Sequence, residues 1–123
     1  MNDYQQNANI SMETTKGQSA DGFDTIKLTG NLDKVGLDTI RSQIDETVEA
    51  SDKEFIVLDF ENLDFINSES IGFLLTLYYR LLKKKKKLVI VGAAENIMDV
   101  LSVIGLLKII DNYPSLDTFK ETL

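Results

Sequence analysis

Residues 67–70, Asn-Ser-Glu-Ser, place two hydroxyls, an amide and a carboxylate in four consecutive positions. They stand between two apolar runs, "FIVLDF" (55–60) with "LDF" just behind it, and "FLLTLYYRLL" (73–82). A strand-to-helix junction needs one capping side chain, whose oxygen accepts a hydrogen bond from a first-turn N–H. Ser68 or Ser70 could supply it, and Glu69 in the first turn suits the positive end of the helix dipole. One hydroxyl is then left over, at a helix end whose backbone donors suit a phosphate. A phosphoryl group there would add about −1.5 to −2 charges at neutral pH beside an apolar helix face. The junction is thus either a plain helix cap or a serine that can be switched.

A second constellation is acidic: Asp59, Glu61, Asp64 and Glu69. Four carboxylates could hold Mg²⁺ for a receiver-like phosphoacceptor, which also needs an acceptor aspartate and a lysine at other strand ends. Here the strand after "LVIV" ends in Asp111 with no matching lysine, so the fit is poor. The chain has no histidine, which excludes Ser-His triads, His metal sites and His acid–base catalysis. It has no cysteine either, and so no disulfide, thiol chemistry or Cys-ligated metal. No catalytic group, metal or cofactor is assigned, and the chain is read as a non-enzyme. Thirteen basic against twenty acidic residues give a net charge of −7, which argues against nucleic acid and anionic membrane as main partners. The one basic run, Lys83 to Lys87, follows an apolar helical pattern. It reads as a solvated helix end complementing the dipole, with a docking patch as the alternative.

The elements that must position these residues follow from periodicity. At 123 residues the chain fits one domain, able to bury roughly two-thirds of its unfolded surface. No apolar run approaches the roughly 20 residues of a membrane span. The start "MNDYQQNANISM" lacks a basic segment and an apolar core, so a cytoplasmic location without a signal peptide is expected. Residues 1–9 are expected to be flexible and 10–123 to form the domain. Ile10, Met12 and Thr14 alternate with polar residues as in a half-buried strand, and 23–29 repeats the pattern after a loop, suggesting an antiparallel pair. Leu37, Ile40, Ile44 and Val48 mark a helix. "FIVLDF" and "LVIV" (88–91) are continuous apolar runs, as in parallel strands covered on both faces. Ile97, Val100, Leu101 and Ile104 mark a helix ending at Gly105. "LLKII" (106–110) reads as a short strand. Pro114 and Ser115 open a last helix with Leu116, Phe119 and Leu123 inward. The order ββαβαβαβα predicts an α/β domain with a mixed sheet of four or five strands, about four helices and right-handed crossovers.

The helix predicted over 68–83 carries two apolar stripes. One is Ile71, Leu74, Leu75, Tyr78 and Leu82; the other is Phe73, Leu77 and Leu81. A helix packed on a sheet needs one stripe, so the second meets either a neighbouring helix or a partner protein. On the partner reading, Ser68 is reached by solvent and part of Phe73, Leu77 or Leu81 is accessible.

The stretch "FINSESIGFLLTLYYRLLKKKKKLVIVGAAENIMDVLSVIGLLKIID" resembles the C-terminal two-thirds of a STAS domain, of the bacterial anti-sigma factor antagonist kind. That family shows a strand, then Asp-Ser-Ser/Thr-Gly-hydrophobic-Gly, an apolar helix, a basic turn, a strand ending near glycine and a hydrophobic-x-x-Gly-Leu helix end. "LTGNLDKVG" is similar to the family's G-x-Leu-Asp after its second strand, and the resemblance runs from about Ile10 to the C-terminus. It implies a STAS-like single domain that binds an anti-sigma factor with serine kinase activity. The kinase phosphorylates the serine directly after the motif's aspartate, which corresponds to Ser68, and a serine phosphatase would reverse the mark. Asn67 stands where the family has Asp, Glu69 where it has Ser or Thr, and Ser70 where it has Gly; Ile71 and Gly72 match. The resemblance and the surplus stripe together nominate Asn67, Ser68, Glu69, Ser70, Phe73 and Leu77 as the partner contact. Asn67 and Glu69 favour the alternative, a non-phosphorylated STAS scaffold or regulatory subunit of a larger signalling or transport complex.

Overall fold

The computed structural model describes residues 8–18 and 20–123; the expected flexible start lies mostly outside them, over residues 1–7. The elements run β1 (Ile10–Thr15), β2 (Phe23–Leu32), α1 (Lys34–Ala50), β3 (Phe55–Ile66) and α2 (Ser68–Lys83). Then come β4 (Lys87–Val91), α3 (Glu95–Val103), a 3₁₀ turn (Leu106–Lys108), β5 (Asp111–Tyr113) and α4 (Leu116–Lys120). The five strands form one sheet in chain order, with β1 antiparallel to β2 and the other neighbours parallel.

The period-two alternation of the strands sorts their side chains onto two faces. Ile26, Leu28, Ile56, Leu58, Leu88 and Ile90 join the large core under α1, α2 and α3. Val57, Val89 and Val91 point the other way and pack with Phe23 and Phe119 under α4. Three aromatic rings, Phe23, Phe55 and Tyr113, meet Phe119 with centroids 5.3 to 5.6 Å apart. The five residues of α4 cover little, and further along that face Lys27 and Asp59 are only half-buried. β3 thus begins as a doubly covered strand and becomes half-open at Asp59.

Three expectations need correction. β3 does not stop at Phe60 but continues to Ile66, crossing two register shifts against β2 at Lys27/Thr29 and Gly30/Asn31. Such irregularities let Leu63 and Ile66 face inward although they do not continue the strict alternation. "LLKII" is not a strand: Gly105 takes a left-handed φ of 77° and ends α3, after which Leu106 and Ile110 are buried one helical turn apart. The fifth strand follows directly after this stretch, where Asp111–Tyr113 pairs with Val89–Val91. Leu123 is exposed, because α4 ends at Lys120; Phe119 is buried and Leu116, half-buried, packs against the same cluster as expected.

α1 and α2 are tied across their outer edges by charges. Arg80 Nη2 donates to Asp45 at 2.7 Å and Lys84 Nζ to Glu49 at 2.6 Å. The Lys84 ammonium holds the Glu49 carboxyl below its ordinary value, chiefly through that hydrogen bond. Within the basic run, Lys84 is therefore engaged, and Lys86 Nζ donates to the Ser51 carbonyl. The run spans the last residue of α2, Lys83, the turn after it and the first residue of β4, Lys87.

Candidate functional site

The junction is built by β2 as much as by β3. Ile66 ends β3 buried, and the Asn67 N–H donates to the Leu32 carbonyl at 2.9 Å. Asn67 then takes an extended conformation and its Oδ1 accepts from the Ser70 N–H at 2.8 Å. Asn67 is the helix cap, not Ser68 or Ser70 as expected. An amide oxygen caps as well as a carboxylate oxygen and brings no charge. Ser70 is fully buried, at 0% exposure, and its Oγ donates to the same Leu32 carbonyl at 3.0 Å. Two hydrogen bonds thus anchor the first turn of α2 to the end of β2.

That anchoring fixes the phase of the helix. With 3.6 residues per turn, holding Ser70 inward turns Ser68 and Glu69 outward, and both are exposed. Glu69 Oε2 lies 3.6 Å from Arg41 Nη2 on α1, and the Arg41 guanidinium sits over the Phe73 ring, 5.0 Å from its centroid. Both members of the ion pair are about half-exposed, so it contributes at most about 1 kcal/mol. Its consequence is positional: it holds Glu69 toward α1 and leaves Ser68 open.

The phase also decides between the two readings of the second stripe. Phe73, Leu77 and Leu81 are buried against the core with Ile71 and Leu74, and Leu77 has 0% exposure. The stripe is covered within the molecule, so the reading on which part of Phe73, Leu77 or Leu81 meets a partner is corrected, and Leu77 cannot touch a partner in the folded state. Truncating a leucine so placed costs about 2–5 kcal/mol by itself. The accessible stripe starts at Ser68 and continues through Gly72, Leu75, Tyr79 and Leu82, at steps of four, three, four and three residues. Tyr79 is 51% and Leu82 43% exposed, and Leu75 is half-buried. Choosing between the stripes required knowing that Ser70 points inward, which no spacing of apolar residues reveals.

The acidic constellation is not assembled. Asp59 Oδ1 accepts from the Glu61 N–H, Glu61 lies 3.7 Å from Lys27, and Glu69 faces Arg41. Among the described residues no group of three or more acids could hold a metal ion. A surface hollow of about 290 Å³ on the other sheet face, lined by Glu13, Lys16, Lys27, Asp59 and Lys120 among others, shares no residue with the Ser68 stripe.

Comparison with known proteins places this geometry. The family model described as STAS domain matches residues 15–119. The chain is 31% identical over 88 residues to an anti-sigma F factor antagonist of Paenibacillus polymyxa, covering 72% of this chain and 75% of the relative. An anti-sigma factor antagonist from Mycobacterium paratuberculosis superposes with a TM-score of 0.79 at 23% identity, over 92% of each chain. The phosphorylated form of the Bacillus cell fate determinant SpoIIAA superposes with a TM-score of 0.65 at 18% identity, over 92% of this chain and all of that one. At these identities the two structural likenesses concern the fold.

Proposed function

We propose that this chain, which belongs to the STAS domain family, is an anti-sigma factor antagonist whose switch is phosphorylation of Ser68. The observation that carries the reading is the contrast between two serines one residue apart. Ser70 is buried and bonded to Leu32, whereas Ser68 stands exposed on the first turn of α2, at the head of a half-apolar stripe. The relatives named above as anti-sigma factor antagonists support the partner class.

In the unmodified state Ser68, Gly72, Leu75 and Tyr79 offer a neutral surface to the anti-sigma factor. Asn67, Glu69 and Ser70 act behind it: Asn67 caps, Ser70 anchors, and Glu69 is turned to Arg41. Phosphorylation by a kinase partner transfers the γ-phosphoryl group of ATP to Ser68 Oγ. ADP leaves and the hydroxyl proton goes to a base of the kinase. The phosphate then faces the nucleotide phosphates of that same partner, and like charge weakens the complex. First-turn N–H groups and the helix dipole stabilise the added charge by roughly 0.3–1 kcal/mol, so the fold itself changes little. A serine phosphatase resets the surface.

The test is phosphorylation with purified anti-sigma factor kinases of the source organism, read by mass spectrometry beside binding titrations. Ser68→Ala should bind and remain unmodified, and Ser68→Asp should bind at least tenfold more weakly. Phosphate on another residue alone defeats Ser68 as the switch; no phosphate, with equal binding by Ser68→Asp, leaves the non-phosphorylated scaffold reading.

A further inference from the structure

The chain has seven glycines, and six have a reason within the molecule. Gly22, Gly30, Gly92 and Gly105 take left-handed φ angles, and a Cβ at Gly17 or Gly36 would run into the Phe23 or Asn31 carbonyl oxygen. Gly72 has neither reason. It is helical and exposed, and among the described residues a Cβ there meets nothing within 4 Å. Glycine inside a helix lowers stability relative to alanine, through the backbone freedom it loses on folding. The isolated molecule would thus be better served by alanine.

Gly72 is also one helical turn beyond Ser68, at i+4, so any side chain there would lie beside the Ser68 hydroxyl. A partner that brings a phosphoryl donor in line with Ser68 Oγ must settle over the first two turns of α2. We infer that Gly72 is a clearance site, where the backbone of the docked anti-sigma factor crosses α2 in direct contact with the helix. This rests on the docking proposed above and adds where the approach is closest. The neighbourhood indicates the character of the crossing segment. The exposed acids Asp64 and Glu95 lie at this end of the sheet, where the Asn96 side chain at the start of α3 donates to the Asp64 carbonyl. The crossing segment therefore carries small residues at the contact and basic ones around it. Leu75 and Tyr79 continue the contact down the helix, as the apolar part of the same footprint.

The experiment compares wild type, Gly72→Ala, Gly72→Leu and a control, Gln43→Ala on the exposed side of α1, by thermal unfolding and by calorimetric titration with the purified anti-sigma factor kinases. Gly72→Ala should raise the unfolding midpoint by about 3–5 °C, the gain expected from helix propensity in a chain of this size. It should weaken binding at least tenfold, Gly72→Leu should weaken it further, and Gln43→Ala should bind as wild type does. Gly72→Ala binding as tightly as wild type would overturn the clearance role while leaving the function standing. A lowered midpoint would overturn it too, by showing that the helix needs this glycine for itself. If wild type binds none of the kinases, the proposed function and this inference fall together.

Discussion

At the end of the sheet where β2 and β3 begin, Asp24 is buried and its carboxylate is surrounded. It accepts from the Gly17 N–H at 2.9 Å and the Ser51 hydroxyl at 2.6 Å, with Lys53 Nζ 3.6 Å away. The Ser51 carbonyl in turn receives Lys86, so one network joins the β1–β2 loop, the α1–β3 connection and the turn after α2. At the opposite end the polar groups divide. Asn67 and Ser70 turn inward to cap and anchor, and Ser68 and Glu69 stay outside. Both ends use serine, but Ser51 completes a closed network whereas Ser68 is left over from one. A buried polar group without partners costs too much to persist, so closure at the first end is required by stability. Among the described residues no hydrogen bond engages the Ser68 hydroxyl, which is exposed. That surplus is why its task is sought outside the chain.

The comparison is broken most directly at Asp24. Asp24→Ala leaves the Ser51 hydroxyl, the Gly17 N–H and the Lys53 ammonium without their acceptor, and should lower stability by about 3 kcal/mol. Urea unfolding measures it, and partner affinity at 25 °C should stay within twofold of wild type. A midpoint unmoved by this substitution would show that the network is incidental and that the two ends do not differ in kind.

The smaller contrast lies within the junction. Ser70→Ala should cost about 1 kcal/mol, the net worth of one buried hydrogen bond; the Leu32 carbonyl keeps the Asn67 N–H, which holds the loss near that value. Ser68→Ala should stay within about 0.5 kcal/mol, as surface substitutions do. Equal losses at the two positions in denaturant titrations would mean that Ser68 also serves the fold, and its surplus would vanish.

Much of this was legible in the sequence, because strand and helix periods are local. The strand at 10–15, the unbroken "FIVLDF" and "LVIV", and the helix start at Ser68 all have the structure that their patterns predict, although Thr14 is exposed where the alternation has it facing inward with Ile10 and Met12. The failures share a cause: each was decided by a neighbour distant in the chain. Leu32, 38 residues before Ser70, sets the phase of α2 and hence which stripe is buried. Val89–Val91 recruits Asp111–Tyr113 rather than the more apolar "LLKII". Hydrophobicity specifies that a face will be covered, but not by what.

A substitution at Lys85 tests whether strain at the closed end is local. α2 ends in a left-handed turn in which the Lys86 N–H bonds the Leu81 carbonyl and the Lys85 N–H the Leu82 carbonyl. That pattern favours glycine at the residue after the cap, yet Lys85 occupies it with a φ of 62°. A side chain there costs about 1–2 kcal/mol. Replacing it by glycine relieves that strain but gives the unfolded chain more freedom, worth about 0.4–1 kcal/mol in the other direction. Lys85→Gly should therefore stabilise by about 0.5–1 kcal/mol. The position lies in a run of five lysines, so relief of like-charge repulsion could mimic the effect. Lys85→Ala separates the two causes, since it removes the same charge and keeps a Cβ. With a backbone cause, alanine should leave the unfolding midpoint where it was and only glycine should raise it, at low and high salt alike. Equal gains from both substitutions, fading as salt is added, would assign the cost to charge crowding and leave the backbone at Lys85 without strain.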